Sequence, residues 1–180
     1  MSPKTVIAAN NGWNCASPNF LQKIEIKLLT KLADKLGKTV GIGLGGSVGA
    51  GLGGPGKLVG MYGSGSAQLM VSPGGTANLA YSYGGTLLTG NPLTIVYGAG
   101  GLFGLQASVS NSPPANGYSL DASGGGGYRY GGGLDASVSL DDNTLTNPSW
   151  TLTGTGGLAF GGYGGAGAIV KTVVVPICKN

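Results

Sequence analysis

Residues 40–53 read V-G-I-G-L-G-G-S-V-G-A-G-L-G. Aliphatic residues stand at every even position of this stretch except 46, and glycine or serine stands at every odd one. A period of two is that of a β-strand, whose successive side chains point to opposite faces of the sheet. The stretch therefore predicts a strand with one aliphatic face and one face that is almost bare backbone.

The same alternation recurs in 128–140 and 149–160, and turn signals rich in glycine, proline and asparagine separate the repeats. Strict alternation is typical of antiparallel sheets with two different faces. The pattern predicts about eight strands, near 39–53, 57–72, 76–84, 93–109, 117–124, 127–140, 149–162 and 164–176.

Long antiparallel strands joined in sequence order predict a closed sheet without exposed edges. We expect an all-β fold, an antiparallel meander barrel of about eight glycine-rich strands with one N-terminal amphipathic α-helix. Two orientations are open. Either the aliphatic side chains fill the interior and the glycine face is outside, which we favour, or the aliphatic side chains face outward around a polar lumen, as in transmembrane barrels.

The helix is predicted within 17–38. Ser17 is a suitable N-cap, Pro18 suits the first turn, and Gly37 stands where a left-handed C-cap glycine belongs. Apolar residues recur at helical spacing, and four lysines form a second stripe beside them. Residues 1–16 are predicted to be an irregular arm and 39–177 the glycine-rich barrel, all within a single domain, 1–180.

The lysine and leucine stripes have two interpretations. The helix could pack its apolar side on the sheet or plug the barrel, or it could lie in an anionic membrane interface with leucines inserted and lysines at the headgroups. The predicted membrane-binding residues are Phe20, Leu21, Lys23, Ile24, Lys27, Leu28, Lys31, Leu32, Lys35 and Leu36.

Composition restricts the functions that remain. The net charge is +4, but most basic residues lie in the first third of the chain, so the β-region lacks the clustered cations that nucleic-acid binding needs. Histidine is absent, which removes Ser-His and Cys-His catalysis, and no metal-ligand spacing is present. We expect no enzyme, cofactor, metal site or nucleic-acid partner. The weaker alternative is a hydrolase that uses Asp121 and Asp135 as its acid pair. The favoured interpretation of these two residues is structural, as a cross-strand ladder with the Arg129 guanidinium between the two carboxylates.

Cys15 and Cys178 are the two cysteines, and they predict one disulfide between the ends of the chain, with two unpaired thiols as the alternative. A disulfide indicates an oxidising destination. The first 14 residues contain no adequate apolar segment for a classical signal peptide, so we expect either a mature fragment or export by a machine that does not use one. In both cases we expect secretion or delivery outside the producing cell.

The stretches Gly41–Gly54, Tyr97–Leu105 and Gly154–Gly167 resemble the glycine-rich β-domains at the C-terminal ends of Rhs-type polymorphic toxins. The resemblance lies in the glycine-rich alternation and not in a diagnostic motif, so it assigns no site residues to this chain. It implies a variable effector domain delivered by a bacterium into a competitor, with a cognate inhibitor as a potential partner.

The sequence thus predicts an exported or delivered, toxin-like bacterial domain that acts by membrane association and not by catalysis. The alternative is a non-enzymatic structural or adhesive β-domain that associates with itself or binds a protein partner.

Overall fold

The computed structural model describes residues 20–52, 59–89, 95–140 and 148–177. It contains one helix, α1 (Phe20–Leu36), followed by six strands. These are β1 (Thr39–Leu52), β2 (Val59–Ser72), β3 (Thr76–Thr89), β4 (Ile95–Ser110), β5 (Gly117–Ser139) and β6 (Trp150–Pro176). All pairings between them are antiparallel, which confirms the predicted all-β, antiparallel class with an N-terminal helix.

The end of α1 follows the prediction from Gly37. This glycine has φ 61°, and the Lys38 amide donates to the Ala33 carbonyl oxygen. That bond satisfies one of the last free carbonyls of the helix in the manner of a Schellman cap. The chain turns there directly into β1. The proposed N-cap Ser17, Pro18 and the arm 1–16 lie outside the described residues.

The strands pair in the order β3-β2-β1-β4-β6-β5, and β3 also pairs with β6. The circuit of pairings therefore returns to its start through β6. The predicted meander is wrong, because β4 lies beside β1 and not beside β3. A meander assumes that strands adjacent in sequence are adjacent in space, but the alternation is nearly the same in every strand and does not select partners. Here glycine opposite glycine helps to fix the β1–β4 ladder, at Gly45–Gly104 and Gly49–Gly100.

β5 and β6 each occupy the place of two predicted strands, so the strand number is six and not eight. Both strands fold back. The Leu140 amide donates to the Tyr118 carbonyl oxygen, so the two ends of β5 lie side by side. Arg129, with φ 70°, lies about halfway along β5 in sequence, between the glycine-rich stretches 124–127 and 131–133. Glycine tolerates the close backbone approach of such a bend.

The register shows that β6 reverses as well. Its first residue, Trp150, accepts a hydrogen bond from the Ser110 hydroxyl at the end of β4, and Ser110 faces Thr39 at the start of β1. Its last residue, Pro176, faces Asn78 near the start of β3, which belongs to the same end of the sheet. β6 consequently leaves this end along β4 and returns to it along β3.

The helix lies outside the sheet, across the end at which β1 starts. Leu29 and Ala33 of α1 are buried in one apolar cluster with Val40, Val71 and Ile177. The Asp34 carboxylate accepts a hydrogen bond of 2.8 Å from the Gly74 amide in the turn between β2 and β3. α1 is thus attached to the sheet and does not plug its interior.

Candidate functional site

The two faces of the sheet differ in chemistry. Along β1 the odd-numbered glycines and Ser47 lie on the inner face, and Ile42, Leu44 and Val48 point outward and are exposed. The other strands keep the same rule. The exposed large apolar residues of the sheet are Ile42, Leu44, Val48, Met61, Tyr81, Tyr83, Tyr97, Phe103, Leu105, Tyr118, Leu120, Tyr128, Tyr130, Leu134, Val138, Trp150, Leu152, Leu158, Phe160, Ile169 and Val173. We call them the outer belt.

The favoured orientation, with aliphatic side chains inside and glycines outside, is therefore wrong. Many inward positions are occupied by glycine, serine, threonine and glutamine, and the apolar side chains inside, such as Tyr62, Leu102 and Tyr163, fill only one part of the interior. Alternation alone could not choose the face, because a period of two is the same for both orientations. The sequence feature that indicates the inner face is the set of polar residues that alternate with the apolar ones. On β6 these are Thr151, Thr153 and Thr155, which are half-buried or buried.

A chain of hydrogen bonds crosses the interior. The Ser108 hydroxyl donates to Gln68 Oε1 at 2.6 Å, Gln68 Nε2 donates to Gln106 Oε1 at 2.9 Å, and Gln106 Nε2 donates to Thr155 Oγ1 at 3.1 Å. These side chains occupy the space over the inward glycines of β1. A Cβ on Gly45 would overlap the amide group of Gln106. The bare face of β1 thus makes room for a buried polar network, which is stable because its members are paired.

One part of the interior is filled by apolar side chains and another part is hollow. Tyr62, Leu102, Ala159 and Tyr163 form an apolar cluster that fills one part of it, and the hydroxyl groups of Tyr163 and Ser47 are hydrogen-bonded. A cavity of about 340 Å³ occupies the other part and extends toward the loop 111–116 between β4 and β5. Its lining is rich in serine and threonine and includes Asp121 and Asp135.

The aromatic residues of the outer belt rest on glycines of neighbouring strands. A Cβ on Gly101 would lie 2.7 Å from the ring of Phe160, and one on Gly164 would lie 2.5 Å from the ring of Tyr97. Exposed aromatic rings therefore pack over outward-facing glycines of the neighbouring strand, and such packing stabilises glycine-rich sheets. In the register Phe103, Leu158 and Tyr130 form one row across β4, β6 and β5.

Charge is almost absent from the strands. Among the described residues of β1 to β6 the ionisable acidic and basic side chains are Asp121, Arg129, Asp135 and Lys171. Arg129 lies over the ring of Tyr128, at 5.8 Å from its centroid, and Lys171 lies over Tyr118 at 5.9 Å. Arg129 is exposed, and the predicted ladder with its guanidinium between the two carboxylates is wrong because those carboxylates point into the cavity.

The helix presents most of its predicted membrane-binding residues to the outside. Ile24, Leu28, Leu32 and Leu36 are exposed, with Leu28 at 63%. Lys23, Lys27, Lys31 and Lys35 are exposed too. The contact with the sheet uses a different stripe, Ile26, Leu29 and Ala33, which the prediction did not separate from the leucines. The side chains of Phe20 and Leu21, together with Cys15 and Cys178 of the predicted disulfide, lie outside the described residues.

Three further findings concern membrane-spanning helices, metal sites and known proteins. Across the described ranges no helix is long and apolar enough to cross a membrane. No group of three or more histidine, cysteine, aspartate or glutamate residues suited to a metal occurs in the same ranges. No protein-family model, curated protein or solved structure matches this chain. The resemblance to Rhs-type toxin domains stays a prediction.

Proposed function

We propose that this chain acts by inserting its sheet into a lipid bilayer, as a closed β-barrel with the outer belt in the hydrocarbon and α1 in the interface. The observation that carries the proposal is the reversed polarity of the sheet, with large apolar residues outside and hydrogen-bonded polar residues inside. A water-soluble domain places these residues the other way round, and exposed apolar patches of this extent indicate an interaction surface.

Strand length supports a bilayer as the partner. β1, β2 and β3 have 14 residues each and β4 has 16. A strand rises about 3.3 Å per residue, so 14 residues extend about 46 Å, or about 33 Å across a bilayer at the usual tilt near 45°. The hydrocarbon core is about 30 Å thick. The described strands are therefore long enough to cross it.

The helix fits the interface. Leu28 and Leu32 are exposed and lie outside the apolar cluster that joins α1 to the sheet, whereas Lys23, Lys27 and Lys31 form a cationic flank beside them. Inserting the two leucines contributes on the order of 2–4 kcal/mol. Each lysine near an anionic surface contributes about 1 kcal/mol. The helix would then favour anionic membranes and fix which end of the barrel remains at their surface.

The toxin-like role follows from membrane insertion only together with the predicted resemblance. An exported or delivered domain that disrupts a competitor's membrane needs no catalytic residues. Secretion or delivery outside the producing cell, a cognate inhibitor and the absence of enzymatic activity stay predictions. The alternative, a structural or adhesive domain, would cover the outer belt with another copy of the chain or a protein partner.

Vesicle flotation and dye release test the proposal. We expect the chain to float with anionic vesicles more than with neutral ones and to release dye from them. A variant with Leu28→Ser, Leu32→Ser and Lys31→Glu should keep the circular-dichroism spectrum and lose most of the anionic preference. Its matched control is Asp34→Asn, which leaves those stripes intact and keeps an oxygen that can accept the Gly74 hydrogen bond. A protein that forms soluble oligomers and stays at the bottom of the gradient with both lipids would contradict insertion and favour the adhesive alternative.

A further inference from the structure

The inner wall of the cavity carries two carboxylates that the proposed membrane function does not use. Asp121 and Asp135 belong to the two halves of β5, which the fold-back brings side by side, and both line the cavity. Burial, and then the neighbouring Asp135 carboxylate, raises the pKa of Asp121 to about 7, and burial raises the pKa of Asp135 to about 6. The cavity also contains the hydroxyl groups of Ser119, Ser137 and Thr151 in its lining.

Beside these carboxylates the structure leaves buried polar atoms without partners. The Tyr62 hydroxyl, the Ser123 hydroxyl and Asp135 Oδ1 are all buried and form no hydrogen bond. Tyr62 is only 6% exposed and Ser123 only 9%. Ser123 lies next to both Tyr62 and Asp135, but of these three residues only Asp135 lines the cavity, so its Oδ1 is the unpaired atom that a ligand there can reach. A buried polar group without a partner costs free energy that a ligand with suitable donors can recover.

No basic side chain balances the two carboxylates in the part of the chain that the structure describes. The two cations of the strands, Arg129 and Lys171, are exposed and lie over aromatic rings on the outer side. The cations of α1 are exposed, outside the sheet. The cavity is therefore a partly open space that holds two carboxyl groups without a balancing cation from the described residues, and such a space attracts cations.

We infer that the cavity binds a small organic cation, a protonated primary amine, with the ammonium group between Asp121 and Asp135. An ammonium donates three hydrogen bonds and accepts none, which suits carboxylate and hydroxyl acceptors. A volume of about 340 Å³ is far larger than a single ion needs and falls within the range of small-molecule sites. The described lining of the cavity offers only these two carboxylates, too few acidic or imidazole ligands to favour a metal ion.

Calorimetric titration of the folded chain in non-ionic detergent with 1,4-diaminobutane tests this inference. We expect saturable binding, no binding of the neutral 1,4-butanediol, and affinity reduced about tenfold or more by either Asp121→Asn or Asp135→Asn. The double variant should lose the binding. Asn has nearly the shape of Asp, and relief of the repulsion between two carboxylates should keep the double variant folded, which its thermal melt reports.

Asp34→Asn is the control, because it removes one carboxylate outside the cavity and should leave amine binding unchanged. Undiminished amine binding by the double variant, or binding of Ca²⁺ with no binding of the amine, would overturn the inference. The titration uses no vesicles. A failure of membrane insertion therefore leaves this result intact, and a failure of amine binding leaves the proposed function intact.

Discussion

Leu105→Arg is the substitution that separates a lipid-facing belt from a water-facing one. Leu105 lies in the middle of β4, opposite Leu44 of β1, and 73% of its surface is exposed. In water, a substitution at so exposed a position changes the free energy of unfolding by about 0.5 kcal/mol or less. In a bilayer, an arginine on the lipid-facing side of a strand near the midplane costs about 2–4 kcal/mol. The expected loss of insertion is therefore about 30-fold to several hundredfold.

The assay is the partition coefficient of the variant between buffer and neutral vesicles, which excludes the attraction of arginine for anionic headgroups. Ala115→Arg is the matched control. It adds the same charge at an exposed position in the loop after β4 and should leave partitioning nearly unchanged. A Leu105→Arg variant that is folded and partitions like the unmodified chain would refute the assignment of the outer belt to lipid.

Three other predictions concern the fold that holds this surface. Gly43→Val should cost about 3 kcal/mol or more of the free energy of unfolding, since its Cβ would lie 2.7 Å from the Gln68 Cα. Gly65→Ala should be tolerated in the same urea titration, because its Cβ would make only an ordinary contact of 3.9 Å with the Ser82 carbonyl oxygen. Gln106→Leu should lower that free energy by about 1–3 kcal/mol, because Gln68 Nε2 loses its acceptor and Thr155 Oγ1 loses its donor. An unchanged urea midpoint would show that the interior network is unimportant. Gly37→Ala should cost about 1 kcal/mol, because φ is 61° there, and a thermal melt unaffected by the change would contradict the role of this C-cap.

Local structure was predictable because its signals are local. The period of two in 40–53 predicted β1 within one residue at its C-terminal end, and Gly37 predicted the end of α1. The predicted breaks near 125 and 163 are wrong as strand ends, because β5 and β6 are continuous. Glycine-rich bends nevertheless lie close to both places, since glycine marks a change of direction whether or not hydrogen bonding stops there.

The pairing of the strands and the choice of the inner face of the sheet were not predictable in the same way. Nothing local places β4 beside β1, because pairing depends on which glycines and side chains meet across the sheet. Which face of the sheet lies inside could have been predicted from the polar residues. Gln68 and Gln106 alternate with apolar neighbours and are buried, a pattern that an apolar interior would not tolerate without many unpaired amide groups.

The helix shows how one amphipathic pattern can serve two contacts. Its apolar residues form a stripe wide enough for Leu29 and Ala33 to hold the sheet and for Leu28 and Leu32 to remain exposed. Periodicity reports the total width of an apolar stripe and not its division among partners. The alternative in which the helix packs on the sheet is confirmed, and the membrane contact stays a proposal that the exposed half of the stripe supports.

The depth of the outer belt in a membrane is the most direct test of the account. A Phe103→Trp variant, with Trp13 and Trp150 changed to Phe, places one fluorophore on the outer belt near the middle of β4. In vesicles, lipids brominated near the chain ends should quench this fluorophore strongly, and aqueous acrylamide should quench it little. Strong quenching by acrylamide with no effect of the brominated lipids would place the outer belt in water and contradict the account.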